Sequence, residues 1–180
     1  MNKIFFPFLT SLIFLTCDAA ALAKSMQVKV YELKKNGANK PIGIIKIEEN
    51  TYGLIFVPNL SNLPEGLHGF HVHENPSCDM KDGVIGGAAG GHYDPHHTNK
   101  HLGPYNTHGH LGDLPALYVD DKGKSTMSVL APRIKKLSEI KGRSLIIHLG
   151  GDNHSDQPLS LGGGGARLAC GIIGKPIKSY

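Results

Sequence analysis

An all-β domain, folded as a closed or sandwiched antiparallel barrel of eight short strands, is the class that this sequence predicts. Three observations predict it. Apolar and polar residues alternate with a period of two along most of the chain, as in strands with one buried face. Gly, Pro, Asn and Asp punctuate those runs, as at Asn36-Gly37, Glu49-Asn50 and Asp121-Lys122-Gly123, where turns require them. Helical periodicity is hard to find, and only 134–141, IKKLSEIK, suits a short helix or turn.

The 180-residue chain opens with Lys3, an apolar run from Ile4 to Leu15, and Ala21-Leu22-Ala23. That order of charged, apolar and small residues marks a cleaved secretory signal. We therefore expect 1–23 to be a signal peptide and 24–180 to be the working domain. An apolar run of about twelve residues is too short to span a bilayer, which takes roughly 20. Lipidation of Cys17 is the competing reading, and the bulky Thr16 before it weighs against it.

The remainder suffices for one core and is too short for two ordinary domains. Strands are expected at 27–33, 42–49, 52–58, 67–73, 115–119, 125–130, 144–149 and 168–173. Two connections are far longer than a hairpin turn: 74–113, with 40 residues, and 150–167, with 18. Long connections in compact domains tend to carry function. Both are rich in Gly, His, Asp and Pro, and each follows a histidine-bearing strand.

With the leader removed, Cys78 and Cys170 are the remaining cysteines. An even count in an oxidising compartment makes a disulfide the default expectation, with two buried thiols as the alternative. The bond would pin the first long loop to the last strand. Closing a loop of roughly 90 residues would contribute about 4 to 5 kcal/mol in the chain-entropy picture.

The formal net charge of +4 is modest, and the basic residues are dispersed. Neither a nucleic-acid stripe nor an amphipathic membrane helix results, so we expect a small-molecule partner, no nucleic acid and no stable membrane association. Gly162-Gly163-Gly164-Gly165 lacks the lysine-serine pair and following helix of a phosphate-binding loop.

All eleven histidines fall between His68 and His154, mostly in glycine-flanked motifs. His71 and His73 lie two apart, so on a strand both project from one face and can grip one ion. His148 completes that cluster if its strand end lies alongside. His92, His101 and His110 are nine apart, and Asp113 follows three later. Three imidazoles and a carboxylate suit tetrahedral zinc, whereas four imidazoles without thiolate suit Cu(II). His68 on its strand is expected to bond backbone. His96, His97, His108 and His154 are loop histidines, with His108 the rival of His110.

The motifs GLHGFHVHE, GGHYDP, GHLGDL, LIIHLGGDNHSDQP and GGGGARLACGIIG resemble those of the copper/zinc superoxide dismutases, particularly the exported bacterial branch. The resemblance runs from about residue 27 to 174 and implies an eight-stranded antiparallel Greek-key β-barrel with two long functional loops. It makes His71, His73, His92 and His148 copper ligands, with His92 shared as a bridge to zinc. Zinc would take His92, His101, His110 and Asp113. Asp152 would accept hydrogen bonds from His71 and His101, and Arg167 would stand beside the open copper face. The resemblance further implies superoxide as substrate and His92 as a carrier of one proton to peroxide. It also implies zinc in a structural role, a periplasmic location, and either a monomer or a homodimer. A non-catalytic metal carrier built on the same barrel is the alternative, and it would lack a copper ligand or the arginine.

Overall fold

The computed structural model describes residues 24–35 and 37–177; the expected signal peptide and Asn36 lie outside them. Among the described residues nine strands form, all pairing antiparallel: β1 (Ser25–Lys34), β2 (Gly37–Asn50), β3 (Gly53–Leu60), β4 (Gly66–His68), β5 (Phe70–His73), β6 (Leu117–Val119), β7 (Val129–Ala131), β8 (Ser144–His148) and β9 (Arg167–Ile172). Seven make a curled sheet in the order β5-β8-β9-β1-β2-β3-β7, and β4 pairs with β6. The order places the last strand, β9, beside the first. Among the described residues, no helix is long and apolar enough to cross a membrane.

The all-β expectation holds, with one correction to the strand count. The run 67–73 is two strands rather than one, because Gly69 leaves the β4–β6 ladder. Its amide bonds Gly150 O at 2.8 Å and its carbonyl accepts from the amide of His148 at 2.8 Å. A side chain at Gly69 would press on the His71 ring. Expected 115–119 shortens to Leu117–Val119, and expected 125–130 is replaced by a lone bridge from Ser125 to Leu60 and a short strand Val129–Ala131 that runs one residue past the expected end. The segment 134–141 holds one 3-10 turn, Leu137–Glu139. Glu139 accepts the amides of Lys135 and Lys136 there.

Period-two alternation explains how the barrel serves its loops. On β5, Phe70 and Val72 enter the main core, and on β8 Leu145 and Ile147 meet them across the ladder. Phe70 also packs edge-on against Phe56 of β3, with ring centroids 5.6 Å apart. His71, His73 and His148 occupy the opposite parity and face outward, under the loops. Ile146 has that parity too, and joins Leu33, Ala89, Cys78 and Cys170 in a second apolar cluster. The expected disulfide Cys78–Cys170 is formed, with Cα atoms 5.8 Å apart, and it ties the first long connection to β9.

Candidate metal centre

The free edge of β5 organises the centre. Asp113 bridges to His71, and His92 bridges to His73. Between those bridges, the Val72 amide donates to Gly112 O at 2.9 Å and its carbonyl accepts from the Tyr93 amide at 2.8 Å. A Cβ on Gly112 would run into the Val72 carbonyl and the Tyr93 backbone, so glycine is required for this approach. The first long loop thereby lies along β5 as a short extra ladder and brings its own His and Asp against the strand's two histidines.

Two buried ligand sets result. His71, His73, His92 and His148 offer nitrogens all within 4.8 Å of one another, and so do the donor atoms of His71, His92, His101 and Asp113. His92 belongs to both sets. Its Nδ1 lies 2.9 Å from Asp113 Oδ1, while its Nε2 is buried without a partner. His101 Nδ1 stands 3.1 Å from Asp113 Oδ2, and His110 Nδ1 stands 3.5 Å from Asp113 Oδ1.

The remaining ring nitrogens are held from behind. Asp152 receives His71 Nε2 on one carboxylate oxygen and His101 Nε2 on the other, each at 2.7 Å, so it spans the two sides of the centre. His73 Nδ1 donates to Gly90 O at 3.0 Å and His148 Nδ1 to Gly165 O at 3.2 Å. Those donations leave Nε2 of both rings bearing lone pairs, and these two atoms face each other at 3.4 Å. Facing lone pairs repel unless a cation lies between them. Together with the unpartnered Nδ1 atoms of His71, His101 and His110, they give the donor set of a metal centre.

Charge follows the same division. Burial, followed by the neighbouring His92, holds His71 and His73 well below the ordinary imidazole range. Burial likewise brings His148 down to about 4, so these rings present neutral nitrogens at neutral pH. Burial alone would raise Asp113, but the imidazoles of His101, His110 and His92 set against it outweigh burial and hold the carboxyl far below its usual range. Asp152 is also low: burial opposes, and the bonds from His101 and His71 prevail.

Arg167 pairs across the ladder with His148. Its guanidinium donates to the carbonyls of Gly86 and Gly90, which fixes it at the edge of the four-imidazole set. His68 bonds backbone, reaching His148 O and Pro64 O, each at 2.8 Å. His96, His97 and His108 are exposed and belong to none of the clusters. His154 lies with its Nδ1 3.4 Å from Asp152. Sequence reasoning overlooked two residues here. Asp156 accepts the amide of His101 at 2.9 Å and that of Leu161 at 3.1 Å, joining both loops, and the second acid of DNHSD was its signal. Arg133 grips the first loop through four carbonyls, and no local pattern announces it.

Fold and site together define an all-β metalloprotein in which two imidazoles, His71 and His92, are common to two ligand sets. Residues 42–173 match the family model described as copper/zinc superoxide dismutase. A superoxide dismutase [Cu-Zn] of Haemophilus parainfluenzae is 57% identical over 153 residues, covering 83% of this chain and 82% of that one. The Cu/Zn superoxide dismutase of Brucella abortus superposes with a TM-score of 0.80 at 55% identity, covering 83% of this chain and 99% of that one. The monomeric copper, zinc superoxide dismutase of Salmonella enterica gives 0.74 at 51% identity, with the same coverage. The chain belongs to the copper/zinc superoxide dismutase family.

Proposed function

We propose that this protein dismutates superoxide, two anions and two protons giving oxygen and peroxide. In this reading His71, His73, His92 and His148 hold copper, and His92, His101, His110 and Asp113 hold zinc. The observation that carries it is His92, with one nitrogen against the Asp113 carboxylate and the other buried and unpartnered among the copper-side rings. His71 also approaches the zinc-side atoms. Its Nε2 is engaged by Asp152, however, so its one free nitrogen goes to copper and the fourth zinc position falls to His110. Asp152 fixes tautomers on both sides, as carboxylates behind metal-bound histidines do.

Bound copper supplies a one-electron redox couple, and bound zinc, with its filled d shell, supplies charge without redox change. The chain's own residues do the rest. Arg167 attracts and orients the anion, its planar donors held by Gly86 and Gly90 with further N–H groups left over for substrate. His92 Nε2 would take up a proton from solvent when it is not engaged by copper, and would give that proton to the forming peroxide. The zinc side holds the 74–113 loop in place and keeps His92 Nδ1 committed.

We read 1–23 as a cleaved signal peptide, 24–180 as the dismutase domain, and the periplasm as the compartment it protects from superoxide. N-terminal sequencing of the exported protein and cell fractionation check this reading, and sedimentation separates monomer from homodimer. The deciding experiment is a superoxide-consumption assay on the copper- and zinc-loaded protein. Inactivity with both metals bound would overturn the enzyme reading in favour of a metal carrier. His73→Ala should remove copper binding and turnover while circular dichroism stays native.

A further inference from the structure

Arg133 follows β7 and is anchored from the barrel side. Ala131 pairs with Leu54, the Leu54 amide donates to Ile134 O at 2.8 Å, and Ile134 is fully buried. Its head group crosses to the first long loop. Nε donates to Pro104 O at 3.0 Å, Nη1 to Gly109 O at 3.1 Å, and Nη2 to both Gly103 O at 3.3 Å and His110 O. One planar cation thus satisfies four carbonyls of a segment that has no regular structure of its own.

The segment is shaped for this grip. Gly103 has φ +73°, and a Cβ there would strike the His154 ring. A Cβ on Gly109 would strike Leu102 and crowd the Lys100 carbonyl. Both ends of the segment lead straight into the zinc side: His101 lies two residues before Gly103, and His110 is itself a gripped residue. Among the described residues, no other side chain donates to these four carbonyls. A lysine would keep the charge but lose the planar fork, whose several fixed donors match several acceptors at once.

We propose that Arg133 is a positioning residue that templates the 103–110 segment so that His101 and His110 are presented together to zinc. This rests on the reading that these two histidines hold zinc. Its hydrogen bonds all go to carbonyls of this segment, so its effect falls first on the zinc side.

The test uses the intact disulfide-bonded protein, stripped of metal and reloaded, as wild type, Arg133→Lys and Arg133→Met. Zinc affinity is measured by chelator competition, and the geometry of the zinc side is read from the visible spectrum of cobalt bound there. Both variants should bind zinc about tenfold more weakly, the size of loss expected when a support behind a metal ligand is removed. The cobalt bands should shift, and copper affinity should stay within about twofold. Wild-type affinity and spectrum in Arg133→Lys would overturn the proposal, since charge alone would then suffice, and unchanged values in both variants would overturn it outright. Should either variant fold poorly, Arg133→Ala with millimolar guanidinium ion supplies a second test. Restored zinc affinity supports the template, and equal rescue by ammonium refutes it. If wild type itself takes up no cobalt or zinc, the zinc-site reading falls along with this one.

Discussion

His73 and Arg167 donate to the same acceptor, the carbonyl oxygen of Gly90, at 3.0 and 2.7 Å. One loop carbonyl therefore sets the tautomer of a ring in the four-imidazole set and the pose of the guanidinium beside it. Gly90 has φ +79°, and a Cβ would meet Glu74 and Asn75, so no other residue fits without moving that oxygen. Gly90→Ala should weaken copper binding by about tenfold and slow turnover together. Copper affinity by competition with turnover on the same preparation checks this. A variant that loses one property and keeps the other would show that the shared acceptor does not couple them.

Arg167→Ala should slow turnover by about tenfold, at the lower end of what electrostatic focusing contributes, and flatten its dependence on ionic strength. Arg167→Lys should recover part of the salt dependence, because charge is retained, but less of the rate, because the two-carbonyl anchorage is lost. The measurement is rate against salt for the three proteins. A wild-type salt slope in Arg167→Ala would exclude this residue from steering.

Asp152→Asn exchanges one acceptor oxygen for a donor where two imidazole N–H groups converge. One ring must lose its partner, and the dense packing of Gly162 against Asp152 and His101 leaves no room to turn away. Copper and zinc affinities should both fall by about 10 to 100-fold, measured separately by chelator competition. An effect on one metal alone would mean that the carboxylate does not couple the two sides.

The sequence made the strands legible where alternation is clean. Val28, Val30, Ile45 and Ile47 are core residues at period two, and the turns between them carry their usual residues. The histidines were legible for a related reason, since His71 and His73 share a strand face that local periodicity predicts. The break at Gly69 was not legible, because it depends on Gly150 and His148, some 80 positions away. Arg133 was hidden for the same reason. It is an ordinary basic residue after a proline, and only the folded chain puts four loop carbonyls in front of it.

The pH dependence of the metal-stripped protein follows from opposed shifts. His148 is brought down to about 4 by burial, so the unfolded chain, with an imidazole near 6.5, takes up its proton first. Its contribution to stability is full above about 6.5 and is lost as pH falls toward 4, on the order of 3 kcal/mol in all. His71, His73 and His92 shift the same way. Burial also opposes charge on His101, but Asp113 and Asp152 outweigh it and raise this ring to about 9. Its contribution is full below 6.5 and is lost as pH rises through 9. Thermal unfolding should therefore show a maximum near neutrality with the steeper fall on the acid side. A melting temperature that is flat from pH 7 down to 4 would contradict the burial of neutral imidazoles.

Reducing the Cys78–Cys170 bond should affect both stability and the site, because the bond lies in the apolar cluster with Ala89, Leu33 and Ile146. Ala89 ends the 3-10 turn Gly87–Ala89, flanked by Gly86 and Gly90, whose carbonyls hold Arg167. Loss of a loop constraint of this length costs about 4 kcal/mol, which lowers the melting temperature of a domain this size by about 10 °C. Amide exchange at 86–90 should accelerate on reduction, and turnover should fall even at temperatures where the reduced protein stays folded. Slow exchange at those amides in the reduced protein would mean that the Ala89 cluster alone holds the arginine's anchor, and that the disulfide serves stability without serving the site.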